Sequence, residues 1–324
     1  MSKNLNLSSS LFRNGMPTFF MFVGIPGCGK STIAVEIKKS SDREIKIHSS
    51  DALRKELFGD EDVQDKNAEL FNELHTRIKN DLRNGFDVIY DATNINRKRR
   101  YGFLQELKNI PCLRVCICVV TPYELCLKFN AERTRNVPID VIKRMYMNWQ
   151  PPEYSEGFDN ILLCGVGLSE SNNDWSITTL VEKMKDFNQE NSHHALTLGE
   201  HCSAAQKYID ENYPNNHRLS IAALLHDNGK IFTKTHINAR GEDDGDCHYY
   251  QHHSVGAYDS ILYLFNEGYE TDDIIYISNL IYFHMHPYMS WKQSKSVERR
   301  TKIMLGEDLY DDIMKLHEAD LAAH

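Results

Sequence analysis

The eight residues 24–31 limit most narrowly what this chain can fold into. Their sequence, GIPGCGKS, follows the pattern G-x-x-x-x-G-K-[ST] and stands between an apolar run at residues 17–23 and a predicted helix at residues 31–39. Glycines in such a loop let backbone N–H groups converge on phosphate oxygens, and the helix N-terminus adds favourable partial charge. We therefore expect an α/β domain that binds ATP or another nucleoside triphosphate.

The residues of this loop have distinct expected roles. Lys30 should reach the β- and γ-phosphates and act in catalysis, and Ser31 should bind the Mg²⁺ that accompanies the nucleotide. The residues expected to surround the nucleotide are Gly24, Gly27, Cys28, Gly29, Lys30, Ser31 and Thr32.

Strand-like and helix-like patterns alternate through the first half of the chain. The predicted strands cover residues 17–23, 44–48, 86–90, 113–120 and 160–163, and predicted helices cover residues 31–39, 67–83 and 98–108. This alternation is typical of a parallel sheet flanked by helices.

The chain's 324 residues, and a change of pattern near residue 190, indicate two domains. We expect a flexible N-terminal lead-in over residues 1–16 and a P-loop domain over residues 17–190, which ends with a helix at 175–187. Residues 191–324 have helical apolar spacing almost throughout and predict an all-α domain, with an acidic loop at 238–246.

The net charge of −9 argues against a protein that coats nucleic acid through a basic surface. Basic residues exceed acidic ones by three in residues 1–165, whereas acidic residues exceed basic ones by 12 in residues 166–324. An enzyme that holds one strand end with a few local cations remains compatible with this distribution.

The compartment is indicated by the cysteines and by the apolar runs. The eight cysteines include no C-x-x-C pair, which favours buried free thiols in a reducing compartment. No run approaches the roughly 18 apolar residues of a membrane span, and the N-terminus lacks the apolar core of a signal peptide. We expect a cytoplasmic protein without a membrane partner.

Residues 49–54, SSDALR, follow the second predicted strand and should emerge at the same sheet edge as the phosphate-binding loop. Asp51 can accept a proton from an attacking hydroxyl, and Arg54 can bind an acceptor phosphate. The same pattern at a helix start is also typical of a simple N-cap. Asp91 ends a hydrophobic strand, and such a residue either binds Mg²⁺ or merely caps the following turn. The basic residues 97–100 either bind a nucleic-acid strand or form a solvent-exposed helix face.

Residues 18–163 resemble the P-loop 5′-hydroxyl polynucleotide kinases of nucleic-acid end repair. The resemblance rests on GIPGCGKST, SSDALR, the DATN that closes a strand at residues 91–94, ERTRNVP at 132–138 and EGFD at 156–159. It implies that Asp51 is the general base and that Arg54 binds the acceptor end. It also implies that Arg133 and Arg135 are lid arginines that neutralise the transferring phosphoryl group, without indicating which does more.

The second half holds most of the chain's 15 histidines, several of them on helix-like segments. Imidazole and carboxylate groups brought together from several helices are what a divalent transition-metal site needs. The residues that form this ordered series are His201, His226, Asp227, His252, His284 and Asp320.

This series resembles the HD-domain metal phosphohydrolases, in a variant with ligands for two metals. The resemblance implies that His201, His226, Asp227 and Asp320 bind the first metal. It also implies that Asp227 bridges to a second metal, which His252 and His284 hold, and that Lys230 and His286 contact substrate phosphate. One or two ions of Mn, Fe, Co, Ni or Zn fit such ligands.

Together the two resemblances predict a bifunctional enzyme that heals the ends of a broken strand, most readily RNA. One site would phosphorylate 5′-OH ends with ATP, and the other would hydrolyse 2′,3′-cyclic phosphate or 2′- or 3′-phosphate ends. The partners would be RNA or DNA strand ends and a separate ligase. The alternatives are a nucleotide or small-molecule kinase fused to an HD nucleotide phosphohydrolase, and a regulatory module that senses a nucleotide.

Overall fold

The computed structural model describes residues 15–63, 65–168, 175–190 and 196–324. The chain folds into two compact units, the first formed by the residues up to Ile142 with Glu156–Gly167, the second by Lys143–Ser155 with Leu168–His324. Most of the expected lead-in, residues 1–14, and the expected boundary segment, residues 191–195, lie outside the described residues.

The first unit contains a five-stranded parallel sheet with helices between the strands. Its elements are β1 (Thr18–Val23), α1 (Lys30–Ser40), β2 (Ile45–Ser49), α2 (Ser50–Phe58), α3 (Asn67–Arg83), β3 (Asp87–Asp91), α4 (Arg97–Glu106), β4 (Leu113–Val120), α5 (Tyr123–Ala131) and β5 (Asn160–Gly165). Helix α6 (Ile139–Met147) begins in this unit, and its residues from Lys143 onward belong to the second. All six residues of β1 are buried, because a parallel sheet is covered on both faces.

The strand order, β2-β3-β1-β4-β5, determines which loops meet. Strand β3 pairs in parallel with β1 on one side and with β2 on the other. The carboxyl ends of these three strands are therefore neighbours at one sheet edge. Ligands bind at this edge in open α/β sheets.

The second unit is mainly helical. Its helices after α6 are α7 (Ile177–Lys185), α8 (Leu198–Asn212), α9 (His217–Leu225), α10 (Lys230–Thr233), α11 (His252–Asn266), α12 (Thr271–Phe283), α13 (Lys295–Leu305) and α14 (Glu307–Ala322). The long central helices α11 and α12 are buried along most of their length. Among the described residues, no helix combines the length and the apolar character needed to cross a membrane.

The helical prediction for this unit needs one correction. An antiparallel hairpin joins β6 (Thr235–Ile237) to β7 (Asp243–His248), and residues 243–246 of β7 lie in the segment expected to be an acidic loop. Both strands are mostly exposed and polar, so they carry none of the apolar alternation by which a half-buried strand is recognised.

The position of α7 also differs from the expected domain limits. The sequence pattern assigns this helix to the P-loop domain, but it belongs to the second unit, where Leu180 and Met184 are buried. Gly199 of α8 allows this packing, since a Cβ atom there would lie 2.7 Å from the Cα of Lys185. Residues 143–155 belong to the same unit, and Trp149 packs edge-on against Tyr258.

Candidate functional site

The glycine-rich loop connects β1 to α1 and depends on two left-handed glycines. Gly29, with φ 98°, is the N-cap of α1, and Gly27 has φ 81°. A Cβ atom at Gly27 would overlap the backbone carbonyl of Cys126. Only glycine fits this combination of dihedral angle and close approach. Burial raises the pKa of the neighbouring Cys28 thiol, against the effect of Lys30.

The two side chains expected to act on phosphate and Mg²⁺ lie at the start of α1. The Nζ of Lys30 donates to the carbonyl of Ile25 at 2.9 Å, so the ammonium stays within the loop. The hydroxyl of Ser31 donates to Oδ2 of Asp91 at 2.7 Å. Asp91 is thus at the end of β3 beside the loop, where a P-loop serine and a strand-end aspartate both reach a nucleotide-bound Mg²⁺. These residues fit that ion.

A cavity of about 440 Å³ opens in front of this loop. Its lining includes Gly29, Lys30, Thr32, Val166 and Arg133. Arg133 is therefore placed on the nucleotide side of the site. The cavity is of a size that accommodates a nucleotide.

Asp51 lies on the first turn of α2, at the adjacent carboxyl end of β2. Ser49 is the N-cap of this helix, because its hydroxyl accepts from the N–H of Ala52. The side chain of Asp51 is thus not needed as a cap. Its Oδ1 accepts from Arg54 at 3.1 Å, and its Oδ2 lies 3.4 Å from the guanidinium of Arg135. The carboxylate lies between two arginines and is 43% exposed.

Arg135 and Arg133 occupy different places, although the resemblance implies one role for both. Arg135 forms ion pairs with Asp62 at 2.8 Å and with Asp51. It is therefore on the acceptor side of the site, whereas Arg133 lines the nucleotide cavity.

The four basic residues at the start of α4 do not form one cationic surface. Arg100 is fully buried and forms two 2.7 Å hydrogen bonds with Glu156, and Arg97 is buried beside the same carboxylate at 3.5 Å. Only Lys98 and Arg99 of the four are exposed. The interpretation of residues 97–100 as a strand-binding surface is therefore wrong for Arg97 and Arg100. Both guanidinium groups are buried against the carboxylate of Glu156.

A second cavity of the first unit begins next to Arg54. The Nη2 of Arg54 donates to Oδ1 of Asn67 at 3.0 Å, and Asn67 lines a cavity of about 450 Å³. Aromatic rings form much of its wall, namely Phe71, His75, Tyr90 and Phe103, with Arg99 at its border. Burial lowers the pKa of His75 to about 4, so its ring is neutral near pH 7. Such a cavity can stack a planar group.

In the second unit, four histidines turn the same ring nitrogen toward a common centre. The Nδ1 atoms of His226, His252 and His284 lie 2.6–2.8 Å from backbone carbonyls, and that of His201 lies 3.4 Å from one. A histidine held in this way presents Nε2 as a lone-pair donor, which is how metal-ligating histidines are oriented.

Asp227 lies at the centre of these histidines, and its two oxygens serve two groups. Oδ1 lies 3.2 Å from Nε2 of His252 and 3.5 Å from that of His284. Oδ2 lies 3.6 Å from Nε2 of both His201 and His226. Each group has the spacing of metal ligands. The two groups could therefore each hold a metal ion, with Asp227 contributing to both.

Asp320 of α14 completes the first group, with Oδ1 3.1 Å from Nε2 of His201. His324 joins it, since its Nε2 lies 3.7 Å from the same carboxylate. Sequence reasoning missed His324, which stands outside the ordered series of the motif. His253, the neighbour of His252, packs against Tyr282.

A cavity of about 450 Å³ lies over this cluster, and Lys230 and Tyr288 line it. The Nζ of Lys230 lies 2.6 Å from Oδ2 of Asp227. Burial alone would raise the pKa of Asp227, but the ammonium of Lys230 and the ring of His226 hold it well below its usual range. His286 is elsewhere, in a separate cavity with His253, so the structure does not bring it to the expected phosphate position.

Comparisons with known proteins concern the first unit. Residues 19–152 match the family model described as an AAA domain. Over 148 residues the chain is 32% identical to the L-seryl-tRNA(Sec) kinase of Methanococcus maripaludis, which covers 43% of this chain and 55% of that protein. Over 150 residues it is 27% identical to Protein kti12 of Schizosaccharomyces pombe, which covers 43% and 53%. The first unit therefore has a P-loop kinase fold.

The chain spans about half the length of the curated relatives it matches. Among solved structures, the Pnkp1/Rnl/Hen1 RNA repair complex aligns with a TM-score of 0.36 and 20% identity, over 44% of this chain and 46% of that one. A gluconokinase from Sinorhizobium meliloti aligns with a TM-score of 0.34 and 17% identity, over 48% and 85%.

In the P-loop kinase domain, the residues that sequence reasoning left open or missed come from separate segments. The Ser31–Asp91 contact joins residues 60 positions apart, and the four rings of the aromatic cavity span the 32 positions from Phe71 to Phe103. The signal for Asp91 was its place at the end of a hydrophobic strand. No local sequence pattern identifies the four rings of the cavity, because each is also typical of an ordinary hydrophobic core.

Proposed function

We propose that this chain is a bifunctional end-healing enzyme that acts on RNA. Its P-loop kinase domain phosphorylates 5′-OH ends, and its second unit is an HD-type phosphohydrolase that removes 2′,3′-cyclic phosphate or 2′- or 3′-phosphate from the opposite end. The observation that carries the proposal is the carboxylate of Asp51, held between Arg54 and Arg135 at the same sheet edge as the phosphate-binding loop.

The proposed phosphorylation divides its tasks among the residues at that edge. When bound, Mg²⁺–ATP supplies the phosphoryl group and neutralises charge between the β- and γ-phosphates. Ser31 and Asp91 would hold the ion, and Lys30 would contact the phosphates. Asp51 accepts the proton of the attacking 5′-hydroxyl. Arg54 binds the phosphate of the terminal nucleotide, and the aromatic cavity beyond Asn67 stacks its base.

An RNA-borne acceptor is supported by one relative, whose name describes a kinase that acts on a seryl group attached to tRNA. The two arginines beside Asp51 also suit an acceptor that carries phosphate.

The proposed hydrolysis uses the histidine and aspartate cluster of the second unit. When bound, one or two divalent ions of Mn, Fe, Co, Ni or Zn would polarise the phosphate and lower the pKa of a bridging water. The first ion would be held by His201, His226, Asp227 and Asp320, and the second by Asp227, His252 and His284. Lys230, which lines the cavity over the cluster, would bind the substrate phosphate.

The partners follow from the products. These are a 5′-phosphate and, after one water opens the cyclic diester and a second releases the remaining monoester as inorganic phosphate, a 3′-hydroxyl. A separate ligase would join these ends. All eight cysteines are free and buried, which is consistent with the proposed cytoplasmic location.

The kinase half is tested by transfer of labelled phosphate from ATP. The purified full chain is offered a 5′-OH oligoribonucleotide, the matching oligodeoxyribonucleotide and free nucleosides. We expect label on the oligoribonucleotide and none on free nucleosides. Label on nucleosides or metabolites alone would contradict strand repair and favour a small-molecule kinase fused to a nucleotide phosphohydrolase.

A further inference from the structure

A third group of metal-ligating side chains lies on the β6–β7 hairpin, apart from the histidine and aspartate cluster. Its members are His236 of β6, Cys247 of β7 and Glu190, which ends the described segment 175–190. The Nε2 of His236 lies 3.7 Å from the Sγ of Cys247 and 3.8 Å from Oε2 of Glu190. Sγ and Oε2 are 3.7 Å apart. The three ligand atoms thus form a nearly equilateral triangle.

The backbone holds these side chains together. The N–H of Cys247 donates to the carbonyl of Glu190 at 2.9 Å, which attaches the segment before residue 191 to the hairpin. Cys247 is fully buried, whereas the side chains of His236 and Glu190 are about half exposed, so the triangle has one buried and one open side. Lys234 donates to Oε1 of Glu190 at 2.8 Å and leaves Oε2 for the triangle.

The dimensions of this triangle agree with one face of a tetrahedral zinc site. Zinc lies about 2.3 Å from a thiolate, about 2.0–2.1 Å from an imidazole nitrogen and about 2.0–2.2 Å from a carboxylate oxygen. Tetrahedral angles then place the ligand atoms about 3.4–3.6 Å apart. The observed separations of 3.7–3.8 Å are within a few tenths of an ångström of this range.

We propose that Glu190, His236 and Cys247 bind Zn²⁺, with a water molecule as the fourth ligand on the open side. On binding, the Cys247 thiol becomes a thiolate and its proton passes to solvent. A mixed sulfur, nitrogen and oxygen set favours zinc over Mg²⁺ or Ca²⁺, which take oxygen ligands.

The site has a structural consequence for the neighbouring cavity. Gln189 accepts a 2.8 Å hydrogen bond from Lys230 through its side chain, and its carbonyl accepts from the hydroxyl of Tyr249. The carbonyl of Tyr249 in turn lies 2.8 Å from Nδ1 of His252. A metal bound by Glu190 and Cys247 would therefore restrain Gln189 and Tyr249, which lie one and two residues away in the sequence. It would thereby make one wall of the cavity over Asp227 more rigid.

Cobalt is the probe for this site, because a cysteine thiolate bound to Co²⁺ gives a sulfur-to-metal charge-transfer band in the near ultraviolet. The full chain is stripped with a chelator and titrated with Co²⁺. We expect the band in the wild-type chain and its loss in Cys247→Ser. Cys202→Ser is the matched control, since its sulfur lies 3.9 Å from Nδ1 of His226, and it should keep the band. Absence of the band from the wild type, or its persistence in Cys247→Ser, would overturn the proposal.

Two further variants separate the site from folding and from the proposed hydrolysis. His236→Ala changes a half-exposed side chain and should lower Zn²⁺ affinity roughly tenfold or more, measured by competition with a chromophoric chelator. Unchanged affinity would refute the assignment of His236. Asp227→Asn should keep the cobalt–sulfur band, and a band lost with Asp227 would assign the signal to the other cluster. The experiment thus stands even if the chain hydrolyses no phosphate.

Discussion

The hydroxyl of Ser31 donates a 2.7 Å hydrogen bond to the carboxylate of Asp91, and this contact joins the phosphate-binding loop to the end of the adjacent strand. Ser31 lies in the first turn of α1, and Asp91 ends β3, which pairs directly with β1. The two oxygens are thus close enough that both could hold the Mg²⁺ that accompanies a bound nucleotide.

This contact makes the Mg²⁺ dependence of the kinase testable. Asp91→Asn keeps the size of the side chain but removes its charge, so the Mg²⁺ concentration for half-maximal phosphorylation should rise roughly tenfold or more. Asp42→Asn is the control, because Asp42 is exposed and lies in the loop between α1 and β2. An unchanged Mg²⁺ dependence in Asp91→Asn would show that Asp91 merely caps the end of its strand.

The two lid arginines should separate in their effects on ATP and on the acceptor. Arg133 lines the nucleotide cavity, so Arg133→Ala should lower kcat/KM for ATP by roughly 10- to 100-fold, the cost of a lost charged hydrogen bond. Arg135 lies beside Asp51, so Arg135→Ala should mainly raise KM for the oligonucleotide. Steady-state kinetics with each substrate varied in turn would measure both effects, and Arg83→Ala, which changes an exposed arginine, is the control. The division would be contradicted if both variants affected the kinetics of the same substrate.

Replacing Asp227 should affect metal binding and hydrolysis in the second unit and leave the kinase reaction unchanged. Asp227→Asn removes the charge that both histidine groups share, so bound transition metal should fall and phosphohydrolase activity should drop at least 100-fold. Phosphorylation of 5′-OH ends should stay near the wild-type rate. Metal content by mass spectrometry and the two activities are measured on the same preparation, and full metal occupancy in the variant would contradict the assignment.

Asp259 should make the stability of the protein depend on pH. Burial raises its pKa to about 7, although the Tyr146 hydroxyl opposes the rise by donating a 2.6 Å hydrogen bond. Between about pH 4 and pH 7 the folded carboxyl keeps a proton that the unfolded chain releases, so this group's contribution to the free energy of unfolding decreases as pH rises. The total decrease should be roughly 2–4 kcal/mol.

Asp259→Asn tests that dependence, because an amide oxygen can still accept from Tyr146. Denaturant unfolding from about pH 4 to about pH 9 should show the variant gaining stability relative to the wild type as pH rises, with a plateau above about pH 8. Asp272→Asn, which changes an exposed carboxylate that accepts from Tyr154, supplies the baseline. A difference that stays constant with pH would contradict the raised pKa.

Sequence reasoning identified those parts of the molecule that short contiguous patterns encode. The glycine-rich loop, β1 and α1 follow from one eight-residue motif, because the backbone geometry and the phosphate chemistry are both local. The ordered series of histidines also predicts the group at Asp227, and the Nε2 atoms of four of them lie 3.2–3.6 Å from its carboxylate oxygens.

The features that the sequence left open depend on pairings between distant segments. Asp91 needed the position of β3 beside β1, which no local pattern specifies. Arg97 and Arg100 look like a solvent-exposed cationic run until Glu156, more than 50 residues later, is seen to accept from Arg100. The hairpin that contains Cys247 lacks apolar alternation, so its strands are not predicted from the sequence. The proximity of Cys247 to His236 and Glu190 is therefore not predicted either.

The central claim is that one chain carries two independent sites for the two ends of a broken RNA strand. The most direct measurement follows both ends of one oligoribonucleotide with a 5′-OH and a 2′,3′-cyclic phosphate, incubated with ATP, Mg²⁺, Mn²⁺ and the full chain. We predict that the wild type converts both ends, that Asp51→Asn loses roughly 10²–10⁴-fold of 5′ phosphorylation alone, and that Asp227→Asn loses 3′ processing alone. A wild-type chain that leaves both ends unchanged while phosphorylating free nucleosides would contradict the account.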